Sequence, residues 1–340
     1  MKEITLEKII KLYPKVILDI LKRDYYYYKS IIFHQKKMGQ KYLKTFKLMS
    51  KDNKLQSSKH WEKLANNMKK EIIGKGLKDF KRGYCNKHFA GRYPKTVLEI
   101  SALWQYYNYI KQKDKFDVLN KISEPKVGNP YTVKIDGKEL MWDFVQGVDE
   151  FYNIINNFNI NLNEKIVICE IGSGYGRLAN IFLQMMPNCH YVLVDLPESL
   201  IVAYYHLSEI FENNIKKYEE SRDRKKYDRN FFLEKKATFL LPHDFNKIKN
   251  KSVDLFINID SFQEMNPKMV QDYFHKIKNL EGNHLYLKNS KDKSHNLVDN
   301  ANFNLIDYPK KINMNILKSQ ISVPYDDMVE QFIKLDLNGK

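Results

Sequence analysis

The stretch that decides the fold runs Ile166-Val167-Ile168-Cys169-Glu170-Ile171-Gly172-Ser173-Gly174-Tyr175-Gly176-Arg177. Its first four residues are apolar or cysteine, the pattern of a strand covered on both faces. Glycines at alternate positions follow, so the backbone can turn tightly and a ligand can approach where a Cβ would collide. The run Arg177-Leu178-Ala179-Asn180-Ile181-Phe182-Leu183 then reads as a helix whose free N–H groups face that turn. Downstream, a second apolar strand, Tyr191-Val192-Leu193-Val194, ends in Asp195. An acidic residue roughly 20 positions after a glycine turn is placed to hold the two hydroxyls of a ribose. Strand, turn, helix, strand and acid predict a doubly wound α/β domain that binds a nucleoside-containing ligand.

The spacing of the glycines separates this turn from a dinucleotide fingerprint. In G-x-G-x-x-G the last glycine packs the helix on the strand. Here that position is Arg177, and the pattern is E-x-G-x-G-x-G. Glu170 at the strand end suits a cationic ligand better than a pyrophosphate. With these residues the sequence resembles the class I S-adenosylmethionine-dependent methyltransferases. The resemblance implies a Rossmann-like core with a mostly parallel seven-stranded sheet, S-adenosylmethionine as cofactor and S-adenosylhomocysteine as product.

Bulk composition agrees with a packed globular chain. Of 340 residues, 43% are hydrophobic and 13% aromatic, which argues against disorder. Cys85, Cys169 and Cys189 are odd in number and widely spaced, without a disulfide or zinc pattern, as in a reducing cytoplasm. The first residues lead into an amphipathic helix and not an apolar leader, and no run approaches a membrane span. The expected location is therefore cytoplasmic, with a peripheral position at the inner membrane face as an option. The net charge of +16 is unevenly spread: residues 1–90 hold 23 Lys and Arg against 8 Asp and Glu, and the remainder is close to neutral.

The hydrophobic rhythm divides the chain into a basic, mainly helical domain at 1–160 and a cofactor-binding domain at 161–340. Helical patterning covers 4–48, with a break at Lys51-Asp52-Asn53. Ser57 or Ser58 could cap the next helix, which carries Trp61, Leu64, Met68 and Ile72. More helix follows around 97–107. Gly128-Asn129-Pro130 is a turn, a short hairpin surrounds Gly137, and Phe144 to Phe158 is helical. From about 163, strands at 166–170, 191–195, 237–241, 253–259 and 283–288 alternate with helices near 176–186, 198–218 and 266–280. Another helix is expected after 291, and the tail from 302 should supply the last strands. The charged run Lys216 to Lys226 reads as a solvated helix end or loop.

In an open α/β sheet, ligands bind beyond the carboxyl ends of the strands. That rule selects the turn at Gly172, Ser173 and Gly174, the segment Asp195-Leu196-Pro197-Glu198, the turn Pro242-His243-Asp244-Phe245, and Asn258-Ile259-Asp260-Ser261-Phe262-Gln263-Glu264-Met265. Glu170, the glycine turn, Val194-Asp195-Leu196-Pro197-Glu198 and this last segment, in this order, resemble the sugar O-methyltransferases of bacterial surface-glycan clusters. The likeness covers roughly 160–290 and extends weakly through Trp61, Gly76-Leu77-x-x-Phe80-x-Arg82 and Gly128-Asn129-Pro130. Ser173 stands where the family often has glycine. The resemblance implies methyl transfer to a hydroxyl of a capsule or lipopolysaccharide sugar. Cofactor contacts would fall to Glu170, Gly172, Ser173, Gly174, Asp195, Leu196, Asp244, Phe245 and Asn258, with Ser261 near the acceptor.

A sugar hydroxyl is a poor nucleophile at neutral pH, so a base is expected. Glu264 and His243 are the candidates, and His206 is more simply a packed histidine. Divalent metal is a less favoured route, with Asp260, Glu264 and Asp244 as its ligands. The basic amino-terminal part is a solvated surface, a site for a nucleotide-sugar or glycan acceptor, or a contact with an anionic membrane. Nucleic acid is disfavoured, because no binding signature accompanies the charge. An RNA-modifying methyltransferase and a non-catalytic protein that binds glycan or membrane are the alternative readings.

Overall fold

The computed structural model describes residues 40–54, 59–82, 96–291 and 303–335. The expected helix over 4–39, Ser57, Ser58, Cys85 and the helix after 291 lie outside this set, apart from a short turn of helix at Tyr308–Lys311. In chain order the longer helices are α1 (Gln40–Asp52), α2 (Lys59–Lys75), α3 (Val97–Lys113), α4 (Trp142–Phe158), α5 (Arg177–Met185), α6 (Pro197–Phe211) and α7 (Pro267–Asn279). The strands are β1 (Val133–Ile135), β2 (Lys138–Leu140), β3 (Ile166–Ile171), β4 (Cys189–Val194), β5 (Ala237–Leu240), β6 (Leu255–Ile259), β7 (His284–Ser290), β8 (Asn315–Ile321) and β9 (Met328–Lys334). The described residues form two compact units, one of 67–152 and one of 41–66 with 153–335.

In the first unit, Thr96 and Glu99 make a reciprocal capping box that starts α3. Strands β1 and β2 pair as the expected hairpin, with Val133 opposite Leu140. The two weak upstream motifs meet here. The Lys81 amide donates to the Gly128 carbonyl at 3.0 Å, and Arg82 Nε donates to the Asn129 carbonyl at 2.6 Å. Asn129 Nδ2 closes the knot on Asp79 Oδ1 at 2.6 Å. Gly128 has φ +82, and a Cβ there would lie 2.4 Å from the Phe80 ring. The glycine, the phenylalanine and the arginine are therefore parts of one packed turn.

The second unit is built on a mixed seven-stranded sheet in the order β5-β4-β3-β6-β7-β9-β8. The five strands from β5 to β7 run parallel, whereas β9 is antiparallel to both β7 and β8. Counted from β3, the order departs from the dinucleotide-binding 3-2-1-4-5-6 by inserting the last strand, antiparallel, beside the fifth. Chain order reverses between β3 and β6, which opens a crevice at their carboxyl ends. One face of the sheet (Val167, Cys169, Ile171, Val192, Val194, Phe256, Leu285) packs against Val270, Tyr273, Phe274 and Ile277 of α7. The architecture is Rossmann-like, as the sequence predicts.

Two readings need correction. The helix expected over 198–218 stops at Phe211, because Glu212 takes the left-handed φ of +46; Tyr218–Arg222 is a separate turn of helix. Nor is the charged run there merely solvated: Lys216 is buried and pairs with Glu234. Arg222 holds Asp52 of α1 by two bonds, Nε to Oδ2 at 2.7 Å and Nη2 to Oδ1 at 2.8 Å. Tyr218 also donates to Asp52, Thr45 to Glu219, and Tyr42 to Glu209. With Phe46 and Met49 buried, these contacts dock α1 on its unit. Among the described residues no helix is long and apolar enough to cross a membrane.

Candidate functional site

The glycine turn is left-handed at all three glycines, with φ +78 at Gly172, +56 at Gly174 and +79 at Gly176. The Gly172 amide donates to the Val194 carbonyl at 2.8 Å, tying the turn to the end of β4. A Cβ on Gly172 would meet Ser261 Oγ at 2.0 Å, so the turn and the segment after β6 touch. Gly176 precedes α5 and sits where a Cβ would lie 3.2 Å from Leu193 and 3.3 Å from Leu207. It therefore supplies the close helix–strand packing that Arg177 cannot.

Asp195 lies at the mouth of the turn. Its Oδ2 accepts the Gly174 amide at 2.8 Å and its Oδ1 accepts the Leu196 amide at 2.7 Å. The Ser199 hydroxyl is a third donor to the carboxylate, which keeps one lone pair for another donor. One edge of Asp195 stays accessible, yet the protein around it strips enough water to dominate its titration. Burial raises the carboxyl to about 7, against the amides of Gly174 and Leu196 and the Ser199 hydroxyl, which pull it down. Leu196 itself is half-buried at the start of α6. Ser173 is buried, and its Oγ has no hydrogen-bond partner among the described residues. A buried hydroxyl left open beside a glycine turn fits a ligand that would complete it.

Glu170 is buried at the end of β3, where Tyr191 Oη donates to its Oε2 at 2.9 Å. Burial and this acidic neighbour push the Tyr191 phenol well above its ordinary range. At the end of β5, Asp244 is buried and pairs with Lys247 Nζ at 2.7 Å. His243 Nε2 lies 3.5 Å from Asp244 Oδ1, and its Nδ1 has no partner among the described residues. Burial, opposed by the Asp244 charge, holds this imidazole below its usual pKa of 6.5, so it is neutral at pH 7. Phe245 points elsewhere: its ring is in the core, edge-on to Phe256 and Tyr273.

The segment after β6 is held from beneath. Asn258 is fully buried; its Nδ2 donates to the Ile171 carbonyl at 2.8 Å. Its Oδ1 accepts the Phe262 amide at 3.2 Å and Asn289 Nδ2 at 3.2 Å. One amide thus pins the strand before the glycine turn to the short turn Phe262–Glu264. Gln263 adds a second tie, accepting the Ser290 amide at 2.6 Å while donating to Asp260. Asp260 is exposed at φ +55, and Glu264 is half-buried on the pinned turn. His206 is buried on α6 against Tyr175, with Nδ1 at 3.1 Å from the Tyr175 carbonyl. Among the described residues no group of three or more His, Cys, Asp or Glu converges as metal ligands would.

Sequence reasoning missed Asn289, the partner of Asn258, and the pair Lys288 and Glu330. Both charged residues are fully buried, directly opposite across β7 and β9, with Nζ and Oε1 3.8 Å apart. Glu330 also accepts from Asn153, Gln320 and Ser322. The signal was present: Lys288-Asn289 and Glu330-Gln331 interrupt otherwise apolar strands.

No protein-family model matches the chain, and no curated protein matches it. Among solved structures, it is similar to magnesium protoporphyrin IX methyltransferase from Synechocystis with bound S-adenosylhomocysteine, at 13% identity over 69% of this chain and 99% of that one, with a TM-score of 0.40. A methyltransferase from Aquifex aeolicus matches at 12% identity over 68% of this chain and 98% of that one, with a TM-score of 0.38. The mitomycin 7-O-methyltransferase matches at 13% identity over 69% and 68%, with a TM-score of 0.37. Likeness at this level transfers no ligand or substrate, so what the chain binds is read from its own side chains.

Proposed function

We propose that the chain is an S-adenosylmethionine-dependent O-methyltransferase acting on a hydroxyl of a bacterial surface-glycan sugar. The observation that carries the reading is the 2.8 Å bond from the Gly174 amide to Asp195. It joins the glycine turn and the acidic strand end, the two elements a bound adenosine needs together. Asp195 would take a ribose hydroxyl on its remaining lone pair, and Leu196 would pack on adenine. Glu170 favours the cationic end of the cofactor, and the open Ser173 hydroxyl and the Gly172 and Gly174 backbone line the same turn. Asp244 would meet the adenine edge, with Lys247 already neutralising part of its charge. Asn258 serves this site by holding the turn on which Glu264 lies.

When bound, the cofactor supplies an activated methyl on a sulfonium. The protein must orient the acceptor oxygen and take its proton. Glu264, on the turn nearest the acceptor side, is assigned as base. His243, neutral at pH 7 with Nδ1 open, is the second candidate. The sugar class rests on the motif order from Glu170 to Met265.

Calorimetry with S-adenosylhomocysteine tests the cofactor assignment. Wild type should bind, and Asp195→Ala should lose on the order of 100-fold, since a hydrogen bond to a charged acceptor disappears together with the ties to the Gly174 and Leu196 amides. An unchanged affinity in the variant, or no binding by wild type, would refute it. The acceptor is tested by transfer of labelled methyl to nucleotide-sugars and glycan fragments against transfer to RNA. Glu264→Gln should abolish transfer while leaving cofactor affinity intact.

A further inference from the structure

Residues 41–54 have five exposed positions, and all five are lysine: Lys41, Lys44, Lys47, Lys51 and Lys54. Their spacing of three and four residues puts the first four on one face of α1, and Lys54 continues past its end. The helix has 13 residues and is roughly 20 Å long. Three acidic groups touch its docked side: Asp52 is ion-paired, and Glu209 and Glu219 are exposed carboxylates that accept from hydroxyls. Glu209 accepts from Tyr42, Glu219 from Thr45, and Asp52 from Arg222. None of the five lysines has an ion pair among the described residues. A face that was only solvated would mix signs and uncharged residues. This one presents a single sign along a ridge. Beyond the clamp at Arg222, exposed Asp223 is followed by exposed Arg224, Lys225 and Lys226, three cations against one acid.

We infer that this ridge is a docking surface for an anionic lipid bilayer. The shape decides against a single-stranded nucleic acid. That partner is held by a basic groove with aromatic platforms on which bases stack. Here the lysines stand on a convex helix, and the nearby rings are already packed on one another: Tyr42 lies edge-on to Tyr204 and Tyr205, at 5.9 and 5.1 Å between centroids. A flat sheet of anionic headgroups needs neither groove nor platform, only ammonium groups free to reach one plane. Each such lysine near an anionic leaflet strengthens binding about fivefold, and the attraction fades within a Debye length. The inference does not depend on the identity of the reaction.

The test uses the full chain and sedimentation with vesicles of phosphatidylcholine, with or without about 30% phosphatidylglycerol. Wild type should bind only the anionic vesicles, more weakly as salt rises. Lys44→Gln/Lys47→Gln/Lys51→Gln keeps good helix formers on the ridge. It should lose on the order of 100-fold in binding, by the same count per lysine, with an unchanged melting temperature and unchanged S-adenosylhomocysteine affinity. Equal binding by the triple variant, or no preference for anionic vesicles at low salt, would overturn the inference. So would salt-sensitive RNA binding that the triple variant loses while vesicle binding persists.

Discussion

At the scale of single residues, Gly172 and Asp195 carry the most specific expectations. Gly172 combines a left-handed φ with a neighbour, Ser261, inside the space a Cβ would need. Gly172→Ala should therefore cost more than the roughly 1–2 kcal/mol of the conformation alone. Adding Ser261→Gly should return the excess but not the conformational part, a difference that urea unfolding of the two variants would resolve. Asp195 binds its proton more tightly in the fold than in the unfolded chain, about 7 against 3.8. The sign follows: this group's contribution to stability is greatest at low pH and falls as pH rises from about 4 to about 7. A ribose hydroxyl that donates to it favours the carboxylate. Affinity for S-adenosylhomocysteine should then rise roughly tenfold between pH 6 and 8 and level off above. A flat calorimetric profile would mean that burial does not hold this carboxyl as the structure implies.

At the scale of elements, the parallel half of the sheet was legible and the antiparallel end was not. Each of β3, β4, β5 and β6 is a short apolar run closed by a turn, and periodicity finds such runs without knowing their neighbours. The end of α6 was missed because Glu212 breaks the helix by a left-handed backbone, which no residue type there announces. Strands β8 and β9 were anticipated only as a tail. On β8 the residues are mostly exposed, so no apolar run marks it. On β9 the apolar run is cut by Glu330 and Gln331, whose meaning is tertiary: Glu330 exists to face Lys288. The same limit applied at the site. The motif showed that Asn258 and Gln263 belong to the segment after β6, but only the fold shows them turned inward to hold it. Removing one member of the buried pair should be severe. Lys288→Met is expected to cost about 3–5 kcal/mol by leaving Glu330 charged and uncompensated. Adding Glu330→Met should recover only part in denaturant melts, because Asn153, Gln320 and Ser322 would lose their acceptor.

At the scale of the whole molecule, the sequence suggested a simple division near 160, with a basic front part and a nearly neutral back part. Charge is a poor guide to where a unit begins, because lysines report the solvent side of an element and not what its other side touches. Helix α1 has the composition of the front part and the contacts of the back part. Its ring Tyr42 packs on Tyr204 and Tyr205, and its acid, Asp52, is held by Arg222. The chain thus begins one unit at 41–66, builds 67–152, and returns at 153 to finish what it started. For anyone dissecting the protein, the carboxyl-terminal half is not a separable part. A fragment spanning 161–340 would leave Tyr204 and Tyr205 without Tyr42 and Arg222 without its carboxylate, and it should come out insoluble or aggregated. Joining 40–66 to 153–340 through a flexible tether should restore a soluble, cooperatively melting species. During synthesis the same order means that Tyr42 and Asp52 of α1 must wait for Tyr204 and Arg222 to emerge before they find their partners.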